Sequence, residues 1–250
     1  MRFSNILLVH DPDISHSLAW SRAITLARNE HATLTICHVV DAIPPMVLRT
    51  ITAVTPGEMM DTVVARRFVQ IERAIDSANA KDLSIEIKVL VGRPEIEIAR
   101  LVEENRHDLV IKPIYGRRDR AIERADRRLL RMCPCPVWLV GGGSETEDGP
   151  ILAALDRPGA NGEGAELNEH ILEVSRSVAL AEFRRLHVVH AWHLTGESHL
   201  RARGTPASEL ELDRMILQEE ARLMGWLRQT VYAAKSESQR IATDFLAPNL

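Results

Sequence analysis

Apolar residues are distributed along this chain in two alternating patterns. Short, nearly continuous runs rich in branched side chains occur at NILLV (5–9), ATLTICHVV (32–40), SIEIKVLVG (84–92), DLVI (108–111) and PVWLV (136–140). Runs of this length and composition are what strands buried on both faces of a parallel sheet look like. Between them the apolar residues recur every three or four positions, as in SLAWSRAITLAR at 17–28 and in the stretch at roughly 57–79, which is the spacing of an amphipathic helix. Gly92-Arg93-Pro94 turns the chain into a further helix. Its first turn carries Glu95 and Glu97, where carboxylates suit the positive end of the helix dipole. Strands alternating with helices predict an α/β fold with a parallel sheet.

The pattern then starts again. NILLVHDPD at 5–13 and PILAALDRP at 150–158 each set an apolar run before an aspartate and a proline, at an offset of about 145 residues. A helical stretch follows each, the second being LNEHILEVSRSVALAE at 167–182, and then a second apolar run, RRLHVVHAW at 184–192 in the later copy. A long helix is predicted at about 207–234, with Leu210, Ile216, Leu217, Leu223, Met224, Leu227 and Val231 as its packing stripe. ATDFLAPNL then stands where the first copy has its third strand. These observations predict a first domain over 1–143, a linker at 144–149 within the polar tract GGGSETEDG, and a partial second copy over 150–250. A shortened copy leaves the flank of its own first strand open to pairing, so self-association through a sheet edge is expected.

Composition narrows the function classes. Of 250 residues, 45% are apolar and 26% charged, which describes a globular chain able to bury real cores. Net charge is −4, so no general attraction to nucleic acid or anionic membrane is expected. No run approaches the roughly 18 apolar residues of a membrane span, and the N-terminal apolar stretch is too short for a signal peptide. Cys37, Cys133 and Cys135 cannot build a disulfide framework. A cytoplasmic protein is the expectation.

The set ILLVHD, ICHVVD, IEIKVLVGRPEIEIARLVEENRHDLVIK and LLRMCPCPVWLV resembles the universal stress protein family, and within it the tandem E-type members, whose degenerate first domain precedes a second. The resemblance covers nearly all of 1–143 and, more weakly, 150–250. It implies a doubly wound, five-stranded parallel sheet in the order 3-2-1-4-5, helices on both faces, and pairing of two domains through the fifth strand. Nucleotide-binding members carry a glycine, two residues, a second glycine, nine residues, then glycine followed by serine or threonine. That motif places phosphate against bare backbone N–H groups. Laid on this chain, it puts Pro113 at the first glycine, Gly116 at the second, and Asp126-Arg127 at the last pair. Proline removes a donor, and Asp126 sets a carboxylate beside any triphosphate. The base-facing positions are better kept, with Asp11 at the family's aspartate and Val9 and Val39 beside it. The ligand-binding candidates implied are therefore Val9, Asp11, Val39, Gly116, Arg127 and, in the second copy, Asp156.

Other clusters are weaker. Arg117, Arg118, Arg120, Arg124, Arg127, Arg128 and Arg131 lie among Asp119, Glu123 and Asp126; they read as an anion site or, as we expect, a solvated face with local ion pairs. His187, His190 and His193 would alternate sides along a strand, so no metal site is expected. Cys133 and Cys135 have the wrong spacing for the usual zinc pair and read as packing residues held by Pro134 and Pro136. The apolar segment at 43–60 reads as a cap over the core or the floor of an apolar ligand pocket. GxSxG, GxxxxGK[ST], HExxH and GxGxxG are all absent, so no catalytic residues are assigned. The expectation is a non-enzymatic stress-response module that binds a small ligand or assembles, needs no cofactor, and does not bind ATP or another adenine nucleotide tightly. The alternative is an ATP-binding protein whose slow hydrolysis serves as a switch.

Overall fold

The computed structural model describes residues 3–11, 18–43, 55–114, 124–141, 149–159, 161–182, 184–194, 197–202 and 206–233. The chain divides into two compact units, Arg2–Glu147 and Asp148–Leu250, the latter grouped with Met1. The expected linker residues 144–148, the segment 44–54 and the tail ATDFLAPNL lie outside the described residues.

The first unit runs β1 (Asn5–Val9), α1 (Leu18–Glu30), β2 (Thr33–Val40), α2 (Pro56–Ser77), β3 (Ile85–Val91), α3 (Pro94–Asn105), β4 (Leu109–Ile114), α4 (Arg124–Met132) and β5 (Val137–Gly141). The five strands form one parallel sheet in the order β3-β2-β1-β4-β5. Strand alternation divides the core. Leu7, Val9, Cys37 and Val110 face one side, where Ile98, Leu101 and Val102 of α3 and Leu129 of α4 cover them. Ile6, Leu8 and Ile36 point the other way, and Ala19, Trp20, Ala23, Ile24 and Ala27 of α1 are buried with them. Local chemistry sets the helix starts. α2 begins with a capping box in which Thr55 Oγ1 accepts from Glu58 N at 3.3 Å and Glu58 Oε2 accepts from Thr55 N at 3.0 Å.

Two strands differ from the sequence reading. β3 is half-buried, not buried on both faces, because it is an edge strand; Glu86 and Lys88 alternate with its apolar residues. β4 continues past Ile111 to Ile114 and so contains Pro113 within a strand instead of a turn. The register explains why proline is tolerated. β4 pairs with β1 only at Leu109, Val110 and Ile111, and from Lys112 onward it pairs with β5 alone. A residue lacking an N–H does least harm where one flank of the strand has no neighbour.

The second unit runs β6 (Ile151–Ala154), α5 (Ala165–Ala181), β7 (Leu186–Val189), α6 (Glu197–Ala202) and α7 (Pro206–Ala233), with β6 and β7 parallel. Ala153, Leu155, Leu172, Ala179, Leu186, Val188, Leu227 and Val231 form its core. The packed stripe of α7 is Leu212, Leu223, Leu227 and Val231; Leu210 and Leu217, assigned to it from sequence, are 56% and 64% exposed. Their positions fall more than a quarter-turn from the buried row, which the 3.6-residue period separates. β7 ends at Val189, so His190 and His193 lie beyond the strand and its alternation does not govern them.

Candidate functional site

In a doubly wound sheet the strand order reverses beside the first strand, and a crevice opens at the carboxyl ends of the strands there. Here β1 stops at Val9, paired with Cys37, while β2 runs on to Val40 and β4, beyond its pairing with β1, to Ile114. Val9 is buried, Val39 and Asp11 are half-buried, and Asp41 is exposed. The structure thus brings three of the expected residues, Val9, Asp11 and Val39, to the ends of two neighbouring strands. Gly116 and Arg117, Arg118 and Arg120 lie outside the described residues. Asp156 belongs to the second unit.

At the ends of β1 and β2 lies a set of rings that sequence reasoning passed over. His10 is 3% exposed. Its backbone N–H donates to Cys37 O at 2.6 Å, and its carbonyl meets His38 Nδ1 at 2.9 Å. Trp20 Nε1 donates to His10 Nδ1 at 3.3 Å, which puts the imidazole proton on Nε2. Burial holds the His10 imidazole down at about 4, and the neighbouring His38 ring adds to the effect. His10 is therefore a neutral hydrogen-bonding spacer near neutral pH. The same device recurs in the second unit: His190 Nδ1 lies 2.9 Å from Leu155 O, and its ring packs edge-on against Trp226 at 5.4 Å. By register, His190, just past β7, occupies the place of His38 on β2, since Ile6 pairs with Leu34 and Ile151 with Leu186.

Where the phosphate motif falls, at the end of β4 and on α4, the protein's own charges pair with one another. Lys112 on β4 faces α4, as Val110 does two residues earlier. Its Nζ lies 2.8 Å from Asp126 Oδ1, off the hydrogen-bond axis, and Lys112 and Asp126 side chains are 18% and 3% exposed. Asp126 is thus not the bare carboxylate expected from sequence; it is a buried partner of a lysine. Two residues on, exposed Arg128 donates to Glu95 Oε1 at 3.1 Å, and Arg93 holds the same carboxylate. The Glu95 carboxyl sits below its ordinary range, chiefly through its own backbone N–H at the start of α3, with Arg128 and Arg93 adding to this against burial. Glu97 is ion-paired with Arg100 at 2.8 Å and also lies over Gly92. Arg127 is exposed on α4.

Chemically, the arrangement sets the apolar Val9 and Val39, both packed on the α3/α4 side of the core, near the carboxylate of Asp11, and places internal ion pairs where the phosphate motif falls. Lys112 was passed over in the sequence, although it carries a signal. A lysine within the buried run LVIKPI needs a partner, but Asp119, Glu123 and Asp126 all follow it, and sequence alone does not choose among them. Among the described residues, no three His, Cys, Asp or Glu side chains are grouped to hold a metal ion, and no helix is long and apolar enough to cross a membrane.

Comparison with known proteins follows the same outline. Universal stress protein E of Escherichia coli strain K12 is 31% identical over 208 residues, covering 77% of this chain and 63% of that protein. Universal stress protein E of Photorhabdus laumondii is 26% identical over 201 residues, covering 76% and 62%. The chain thus spans about three fifths of the length of the curated relatives it matches. Two solved structures share its fold. One, a proposed universal stress protein from Pseudomonas aeruginosa UCBPP-PA14, has a TM-score of 0.62 at 19% identity over 98% of this chain and 75% of that one. The other, a universal stress protein from Archaeoglobus fulgidus DSM 4304, has a TM-score of 0.53 at 13% identity over 88% and 74%. The model of the Universal stress protein family matches residues 2–141, the whole of the five-stranded unit, and the chain belongs to that family.

Proposed function

We propose that this chain is a non-enzymatic module of the stress response, in which the crevice of the first unit receives a small ligand without gripping a triphosphate, and in which association through a sheet edge transmits the result. The observation that carries this reading is the Lys112–Asp126 pair. A phosphate tail needs unobstructed backbone donors and unspent positive charge. On this side of the crevice the lysine is already ion-paired at 2.8 Å with a carboxylate that is 3% exposed, and Pro113 is committed to the ladder with β5. Val9, Val39 and Asp11 remain to meet a planar apolar group with a polar edge, such as a nucleobase.

Assembly and the tandem arrangement belong to the same proposal. β5 and β3 are the two edges of the first sheet, and an edge strand presents a row of unpaired backbone groups to a partner. The shared β-α-β order and the matching roles of His38 and His190 support reading the second unit as a relative of the first.

Calorimetric titration of the full chain with ATP and magnesium, beside AMP, tests the proposal. The expected result is no binding, or weak binding that is the same for both nucleotides. Micromolar affinity for ATP, dependent on the γ-phosphate and lost in Asp11→Ala, overturns it in favour of a nucleotide switch.

A further inference from the structure

At the far end of α4 the chain reads Met132-Cys133-Pro134-Cys135-Pro136 before β5 begins. Cys133 and Cys135 both pack against the α3/α4 side of the core, which agrees with a packing role. Their sulfurs, however, converge to 3.7 Å, and both residues are only half-buried while Pro134 between them is exposed. A two-residue span reaches at most about 7 Å when extended. This one is bent at Pro134 and Cys135, and the Cα separation of about 4.4–6.8 Å that a disulfide requires lies within such a span's reach. Rotation about the side-chain bonds is then enough to bring the sulfurs from contact to bonding distance. The third cysteine provides the contrast. Cys37 is fully buried in the middle of the sheet, and burial pushes its thiol up to about 12, which leaves it inert.

We propose that Cys133 and Cys135 form a reversible thiol pair that hydrogen peroxide oxidises to an intramolecular disulfide. The two thiols are unequal in the way such chemistry needs. The hydrogen bond from Cys135 lowers Cys133 to about 7, whereas the same bond, burial and the nearby Asp108 carboxylate push Cys135 up. Cys133 is the attacking sulfur and Cys135 the resolving one. The Cys133 thiolate attacks one oxygen of peroxide, the O–O bond breaks, and the departing hydroxide takes up the proton that Cys133 released, leaving a sulfenic acid and one water. Cys135 sulfur then attacks Cys133 sulfur. The S–O bond breaks, and the hydroxyl leaves as a second water with the proton of Cys135. Two thiols and one peroxide thus give one disulfide and two waters, with the two electrons passing from sulfur to oxygen.

The pair sits at a position where its state has structural reach. Cys133 N–H donates to Leu129 O in the last turn of α4, and Val110 N–H donates to Pro136 O where β5 joins β4. The disulfide would close a short ring between that helix and an edge strand.

The test is made on the full-length protein, reduced, freed of reductant and treated with a small excess of peroxide. In denaturant the titratable thiols are expected to fall from three to one, with an intact mass lower by about 2 Da and full recovery in dithiothreitol. One proteolytic peptide should carry both oxidised residues. Cys37→Ser is expected to leave the reaction unchanged, and Cys133→Ser to abolish the mass loss while Cys135 stays a thiol. The proposal is overturned if all three thiols persist, if Cys133 advances to sulfinic acid without a disulfide, or if the products are links between chains. It is equally overturned if the pair reacts only after a chelator strips a thiophilic metal from it.

Discussion

Asp126→Ala removes the carboxylate from a lysine that the fold keeps on the inner face of β4. Breaking a buried ion pair from one side costs about 3–5 kcal/mol, because a charge remains without its partner. Lys112 retains 18% exposure against 3% for Asp126, so its ammonium can move toward water along a flexible stem. The cost therefore falls at or just below the bottom of that range, at about 2–3 kcal/mol. For a unit of this size each kcal/mol moves the melting point by about 2–4 °C, so a drop of about 5–10 °C is expected. Replacing both partners, as in Lys112→Met with Asp126→Leu, should return stability to within about 1 kcal/mol of the starting protein, since no charge is then stranded. Urea unfolding followed by circular dichroism gives the magnitudes. Hydrogen exchange of peptides from β4 and α4 assigns the loss to the first unit, which matters because two units need not unfold together. A single-mutant loss below about 0.5 kcal/mol would class the pair with solvated surface pairs and remove the argument that it closes the phosphate side.

Three further outcomes follow from the geometry. His10 is held at about 4 against 6.5 when unfolded, so the unfolded chain binds the extra proton first; stability should be complete above pH 6.5 and fall as pH drops toward 4, and His10→Phe should flatten that slope in urea titrations across the interval. Gly92 has φ +151°, and a Cβ there would lie 2.8 Å from Glu97 Oε1, so Gly92→Ala should cost about 1–2 kcal/mol by thermal melting, with the side chain of Glu97 relieving the clash but not the backbone strain. Leu129→Ala empties a site that is 1% exposed between α4 and the sheet, and a loss of about 2–5 kcal/mol is expected from chemical denaturation.

The sheet was readable because its strands are nearly continuous apolar runs whose lengths exclude helices, and because Gly92-Arg93-Pro94 marks a helix start. What escaped was tertiary. The end of β4 depends on its pairing with β5, which no local pattern encodes, so Pro113 was left outside the strand expected at 108–111. Leu210 and Leu217 look as apolar as Leu227, and only the line of approach of the neighbouring strands decides which row of α7 is buried. At the site, Val9, Asp11 and Val39 were named through the family resemblance, and the structure places them at or just beyond the ends of β1 and β2. The roles of Lys112, Trp20 and His38 were not, since each is defined by a partner distant in sequence. Asp126 was seen but misread, because its charge was judged without the lysine that neutralises it.

The central claim is that the first unit's phosphate side is closed by its own ion pair, and a crystal of the full chain soaked in ATP and magnesium addresses it most directly. The account predicts an empty crevice, or a base resting against Val9 and Val39 with no ordered triphosphate, and Lys112 still within ion-pair distance of Asp126. Three ordered phosphates contacting Lys112, with Asp126 displaced from it, would contradict the account.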